Sequence, residues 1–220
     1  MSIFTGSGVA VCTPFDNEGK FNCKAYEELI NFQINAGTDA IISCGTTGEA
    51  PTLSKDEHIE IVRQAAAITN KRVPVIAGAG GNDTAKCIEM GKALTQAGAD
   101  ALMYATPYYN KTSQKGLVQH YTAIAAAVDV PIVVYNVPSR TGMSFTVDTY
   151  LELAKHPNIN LDLSWIQPQK VLPFVAEHKS ILCIVAEIQK QKLTDTNNLP
   201  EHIEKKRLNM LDRVLNTLVH

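Results

Sequence analysis

Short runs of consecutive apolar residues alternate along this chain with longer stretches whose apolar positions recur three or four apart. Gly8–Thr13, Asp39–Cys44, Val73–Ala77, Asp100–Tyr104 and Pro131–Asn136 are rich in Val, Ile, Ala or Leu and predict strands buried on both faces. Cys23–Ala36, Lys55–Thr69, Thr84–Ala97, Gln114–Val128 and Val147–Lys155 keep their apolar side chains on one face and predict amphipathic helices. Ser54-Lys55-Asp56-Glu57 is a capping box, which fixes the start of the second helix. The strand–helix unit returns about every 30 residues, as βαβ units do.

Ala36-Gly37-Thr38-Asp39-Ala40 recurs as Ala97-Gly98-Ala99-Asp100-Ala101. Each copy puts glycine where a helix end needs positive φ and then enters a new strand. Continuous β/α alternation means a parallel sheet, either closed as an eightfold (β/α) barrel of the TIM type or open and doubly wound. The barrel fits better, because hydroxyl-rich segments follow the second, fourth and fifth strands. Such segments converge around a ring but spread out along an open sheet.

The pattern then stops. All 13 glycines lie at or before Gly142. At a background of about 7%, sixty glycine-free residues arise by chance roughly once in eighty draws. The last third of the chain offers Trp165-Ile166-Gln167-Pro168-Gln169, a candidate helix or strand at Val171–Val185, and a final amphipathic helix beginning near Pro200. The barrel is expected to be incomplete or altered after strand six, which would leave two open sheet edges.

Composition changes this picture only by exclusion. A net charge of −2 gives no reason to expect nucleic acid, and no apolar run suits a membrane helix. Five cysteines without a Cys-x-x-Cys pair, and no basic leader, suggest a reducing cytoplasm.

The candidate chemistry lies in the segments after the strands. Gly45-Thr46-Thr47-Gly48 offers backbone amides and two hydroxyls suited to a carboxylate, although a turn with structural threonines would read the same. Tyr109 and Tyr135 could relay a proton through a third hydroxyl such as that of Thr46; taken singly, each is more often a packing residue. Arg140, in a Pro-Ser-Arg-Thr-Gly turn, could grip a carboxylate with two parallel hydrogen bonds or be an ordinary surface arginine. Glu49 reads as a structural partner rather than a base. Gly78-Ala79-Gly80-Gly81-Asn82-Asp83 lacks the third glycine of a dinucleotide fingerprint, and Asp100 stands at the wrong end of its strand for a ribose contact. His58, His120 and His156 have no metal-ligand spacing, so neither metal nor cofactor is expected.

Together, Val9-Ala10-Val11-Cys12-Thr13-Pro14-Phe15, Gly45-Thr46-Thr47-Gly48-Glu49, Thr106-Pro107-Tyr108-Tyr109-Asn110 and Tyr135-Asn136-Val137-Pro138-Ser139-Arg140-Thr141-Gly142 are highly specific. In this order they make residues 1–158 resemble the dihydrodipicolinate synthases (4-hydroxy-tetrahydrodipicolinate synthases), pyruvate-dependent class I aldolase-type lyases of lysine biosynthesis. The resemblance implies an eightfold barrel with a C-terminal helical region, usually a homotetramer. It also implies condensation of pyruvate, held as a Schiff base, with aspartate β-semialdehyde. By motif position, Tyr135, Thr46 and Tyr109 would form the proton relay, with Tyr109 contributed across a subunit contact. Thr47 would hold the pyruvate carboxylate and Arg140 the semialdehyde carboxylate. Asn82 and Tyr108 match positions that bind feedback lysine in some members. N-acetylneuraminate lyase and other pyruvate lyases share the barrel; the arginine turn favours the synthases.

The likeness breaks after Asn158-Ile159. The family continues there with a Gly-Ile-Lys-Glu type of strand whose lysine forms the Schiff base, whereas this chain reads Asn160-Leu161-Asp162-Leu163-Ser164-Trp165. Leu163 takes the matching position, and leucine cannot form an imine. Lys170, the next lysine, would lie about 23 Å further along a strand and on its other face. Residues 159–220 are therefore read as a divergent tail, of the kind a shifted reading frame would produce, and impaired condensation is expected. A non-catalytic homologue that binds small carboxylates or lysine is the rival reading.

Overall fold

The computed structural model describes residues 7–162, 181–182 and 184–185, all within one compact unit, Met1–Glu187. The order of elements is β1 (Gly8–Ala10), α1 (Cys23–Asn35), β2 (Ala40–Ser43), α2 (Lys55–Thr69), β3 (Val75–Gly78), α3 (Thr84–Gln96), β4 (Ala101–Ala105), α4 (Gln114–Ala127) and β5 (Ile132–Tyr135). A single helical turn α5 (Pro138–Thr141) follows, then α6 (Val147–Ala154), β6 (Ile159–Asp162), β7 (Ile181–Leu182) and β8 (Ile184–Val185). The helices and strands expected as far as Lys155 are all present, shifted by no more than three residues at either end. The capping box also forms as read: the Ser54 side chain accepts from the Glu57 N–H, and the Glu57 side chain accepts from the Ser54 N–H.

Every strand pair among the described residues is parallel, and the order is β7-β6-β5-β4-β3-β2-β1-β8. β6 and β1, the strands expected to be open edges, each gain a short partner. Ile181 and Leu182 pair with β6, while Ile184 and Val185 pair with β1. β7 and β8 stand one residue apart in sequence, so one short stretch supplies both ends of the order. Two residues on each of β6 and β1 are thereby paired, and β7 and β8 stand at the ends of the order. Val171–Val185, read as helix or strand, thus contains strand at its end. Leu163, Lys170 and the helix expected from Pro200 lie outside the described residues.

Strand alternation sorts the side chains into two layers. Ala10, Ala40, Ile42, Ile76, Ala101, Met103 and Val133 form an inner cluster made of strand residues alone. Their neighbours Ile41, Val75, Ala77, Leu102, Tyr104, Ile132 and Val134 face outward and pack against Tyr26, Ile30, Ile61, Leu94, Leu117, Ile124 and Leu153 from the helices. Each fully buried Ile, Leu or Val adds roughly 1.5–3 kcal/mol, so this outer layer is what holds helices to sheet.

The repeated Gly-x-Asp segment has a second use. Gly37 (φ 83°) and Gly98 (φ 106°) adopt the left-handed conformation expected of them. The aspartates that follow then clamp the preceding strand at two points. The Asp39 N–H donates to the Ser7 carbonyl, and its Oδ2 accepts from the Ser7 N–H at 2.7 Å. The Asp100 N–H likewise donates to the Val75 carbonyl, and its Oδ2 accepts from the Val75 N–H at 2.9 Å. Asp100 is therefore a register clamp at the foot of the sheet, paired also with Lys71.

Candidate active site

The residues singled out by sequence sit beyond the carboxyl ends of β2, β4 and β5, the rim where parallel barrels carry their chemistry. Several tight approaches shape it. A β-carbon on Gly78 would stand 2.0 Å from the Cys44 carbonyl oxygen, and one on Gly80 would stand 2.8 Å from the Ala105 nitrogen. The glycine run after β3 thus answers a packing demand between neighbouring strands, and needs no dinucleotide to explain it.

The Gly45–Glu49 loop is held from below. Buried Thr13, beyond β1, donates its hydroxyl to the Gly48 carbonyl at 2.7 Å, and Gly48 packs onto the Cys44 backbone. The Glu49 N–H donates to the Thr46 carbonyl, which closes the turn, and Glu49 adopts φ 58°. Thr46 is left exposed and Thr47 half-buried at the rim. Met103 reaches within 3.3 Å of where a Gly45 β-carbon would lie, and Tyr135 packs against the cluster that contains Met103. Gly45 and Tyr135 therefore border one inner layer from two strands.

Tyr109 departs from them. It is 91% exposed with φ 65°, and Tyr108 beside it is also exposed. Within a single chain its ring is presented to solvent. Asn82 donates from Nδ2 to the Tyr108 carbonyl at 3.4 Å, and Asn110 donates to the Asn82 carbonyl at 3.2 Å, which ties the loops after β3 and β4 together.

Arg140 rides on α5, a single turn closed by Gly142 in the left-handed conformation, φ 65°. The Arg140 and Thr141 N–H groups donate to the Val137 carbonyl, and buried Thr141 donates its hydroxyl to the carbonyls of Val137 or Met143. The arginine itself is exposed, and no acidic side chain among the described residues forms an ion pair with it. A hydrogen-bonded turn that presents an exposed guanidinium, with no acidic partner among the described residues, is suited to bidentate binding of an incoming carboxylate.

Lys111 in the loop after β4 and Gln114 at the first position of α4 escape the sequence motifs. Lys111, at φ 54°, lies against Gly142, with its Nζ 3.4 Å from where a β-carbon would be. Gln114 bonds to the segment after Arg140, through the Ser144 carbonyl and the Thr146 N–H. Their only sequence signal is a place directly after the Tyr-Tyr-Asn motif.

The buried titratable groups serve structure. His58 bonds through Nε2 to the Gly78 carbonyl at 2.8 Å, and His120 through Nδ1 to the Thr84 hydroxyl at 2.8 Å; burial lowers the pKa of both. Burial pushes the Cys44 and Cys87 thiols up to about 11, so neither is a ready nucleophile. No group of three or more potential metal ligands occurs among the described residues.

A parallel sheet of alternating strands and helices, with hydroxyls and an arginine beyond its carboxyl ends, places the protein among the (β/α)-barrel folds. Comparison with known proteins narrows the class: the model of the dihydrodipicolinate synthetase family matches residues 3–160, and the chain belongs to that family, a family of lyases. It is similar to the 4-hydroxy-tetrahydrodipicolinate synthase of Lachnoclostridium phytofermentans, with 56% identity over 149 residues, 68% of this chain and 51% of that protein. The crystal structure of the dihydrodipicolinate synthase of Acinetobacter baumannii complexed with pyruvate superposes with a TM-score of 0.75 at 42% identity, covering 80% of this chain and 62% of that one. The 4-hydroxy-tetrahydrodipicolinate synthase of Methylacidiphilum fumariolicum superposes with a TM-score of 0.75 at 28% identity and covers 97% of both chains. The chain spans about half the length of the curated relatives it matches.

Proposed function

We propose that the rim binds pyruvate and aspartate β-semialdehyde, as in a 4-hydroxy-tetrahydrodipicolinate synthase, with the condensation itself impaired in this polypeptide. The observation that carries the reading is the set of rim residues, Thr46, Thr47, Tyr135 and Arg140, in a chain of this family. Thr47 and the neighbouring backbone amides would take the pyruvate carboxylate, and Arg140 the carboxylate of the aldehyde acid. Thr46 and Tyr135 would pass a proton between hydroxyls, with Tyr109 supplied by a second subunit, in keeping with its exposure in one chain. A homotetramer in the cytoplasm is the assembly and location this reading entails.

The impairment follows from elementary chemistry. Imine formation joins an amine nitrogen to the keto carbon and expels water; the position that should supply the amine holds Leu163. The same substitution favours, as the second reading, a homologue that binds small carboxylates without turning them over. Calorimetric titration with pyruvate, paired with intact mass after borohydride treatment, separates the two. Saturable binding without a covalent adduct supports binding alone. A stable adduct would show that another lysine supplies the amine and would overturn the impairment. Loss of binding in Thr47→Val and Arg140→Ala is expected; unchanged binding in both sinks the assignment of the rim.

A further inference from the structure

The loop that carries Arg140 is pinned at both ends by side chains with no part in binding or proton transfer so far. At its base, Asn136 Nδ2 donates to the Ser144 hydroxyl at 3.2 Å, so residues 136–144 form a closed loop with Arg140 near the apex. Asn136 is almost fully buried, 1% exposed, which fixes that end in the wall of the barrel. The other end is tied to α4 by its first residue. Gln114 Nε2 donates to the Ser144 carbonyl at 2.9 Å, while its Oε1 accepts from the Thr146 N–H at 3.0 Å and from the Thr149 hydroxyl at 2.7 Å.

The chemistry of these partners admits only an amide. Ser144 offers a carbonyl, which must receive a proton, and Thr146 offers an N–H, which must give one. Glutamine satisfies both; glutamate would set a carboxylate against the Ser144 carbonyl. The Thr149 hydroxyl spends its single proton on Gln114, so the Thr146 hydroxyl donates to Thr149 across 2.9 Å. Thr146 is also the N-cap of α6, so the same amide anchors the start of the next helix. One side chain therefore couples α4, the Arg140 loop and α6.

We propose that Gln114 is a positioning residue for Arg140. It holds the base of the loop at residues 136–144 and so sets where the guanidinium meets a carboxylate. This rests on the reading of Arg140 as a carboxylate-binding group.

The test is a double-mutant cycle on the full chain with Gln114→Met, Gln114→Glu and Arg140→Ala. Binding of succinic semialdehyde, an aldehyde acid lacking the amino group, is read by titration in the presence of pyruvate. Amide hydrogen exchange is read at Arg140, Thr141 and Gly142. Gln114→Met should weaken binding roughly tenfold in the native background and less than about twofold when Arg140 is already alanine. Exchange at the three loop amides should rise about tenfold while that of Leu102 and Ile132 in the sheet holds. Gln114→Glu should behave like Gln114→Met, because it loses the Ser144 bond. Equal weakening in both backgrounds, or unchanged exchange at the loop, overturns the proposal. If Arg140→Ala leaves binding unchanged, or no binding occurs, the carboxylate reading falls instead, and the exchange result alone decides whether Gln114 orders the loop.

Discussion

The two ends of the parallel sheet solve the same backbone problem in opposite ways. At the foot, where helices hand over to strands, the left-handed conformation falls mainly to residues that adopt it cheaply: Gly37, Gly98 and Asn70, with Lys71 beside them. Aspartates there clamp strand to strand. At the rim, where Gly142 also takes it, the same conformation is imposed on Cys44, Glu49, Tyr109 and Lys111, residues with a β-carbon and no local compensation of the kind asparagine offers. Each such residue costs on the order of 1 kcal/mol, and the cost is tolerated where surrounding structure over-determines it. The foot is built for stability. The rim holds side chains in places that stability alone would not choose.

The sharpest way to break that contrast is to damage the tight packing at the rim. Gly78→Ala drives a β-carbon to within 2.0 Å of the Cys44 carbonyl, a backbone atom that cannot move aside alone. A loss of about 3 kcal/mol or more is expected from urea denaturation. A loss below about 1 kcal/mol would show that the β2–β3 approach yields easily.

Asp100→Ala removes a foot clamp and leaves the Val75 N–H without its side-chain acceptor. A loss of about 1–3 kcal/mol with unchanged ligand binding is expected from the same experiment. Weakened binding would show that the foot and the rim are coupled.

Acid should act on the framework through His58 and His120. Burial lowers their folded pKa below the ordinary 6.5, so the unfolded chain binds more protons than the folded one once pH drops through that value. Stability is therefore full above pH 6.5 and declines below it, until the folded pKa values are passed. His58→Asn should flatten part of that slope in thermal scans between pH 7 and pH 5; an unchanged slope would count against the burial argument.

The smallest effect is the most telling for the rim. Lys111→Gly should raise stability by up to about 1 kcal/mol by relieving the left-handed lysine, while weakening carboxylate binding. Gain on both counts would mean that the strain at Lys111 serves no ligand.

Much of this was legible in the chain. Buried strands read directly because a parallel sheet covered on both faces demands unbroken apolar runs, and Ser54 and Glu57 announced their helix because the capping box is local. The threonines, tyrosines and arginine at the rim stood out in the sequence because they follow strand ends. Other features depended on distant partners. Asp100 looked like a failed ribose ligand and is a clamp on Val75, twenty-five positions away. The glycines after β3 fell short of a dinucleotide fingerprint, and what they do, making room for Cys44 and Ala105, shows only in the fold. Gln114 carried no signal beyond its place after the Tyr-Tyr-Asn motif, because its meaning lies in the Ser144 carbonyl and the Thr146 N–H, which only folding brings to it.

The sequence by itself determined the alternation of elements, the caps, the family and the leucine at position 163, since each depends on residue type and spacing along one chain. Tertiary structure alone decided the pairing of Ile181 and Leu182 with β6 and of Ile184 and Val185 with β1, the exposure of Tyr109 and the grip of Gln114 on the Arg140 loop. Those depend on which atoms meet across sequence separations that no local pattern encodes.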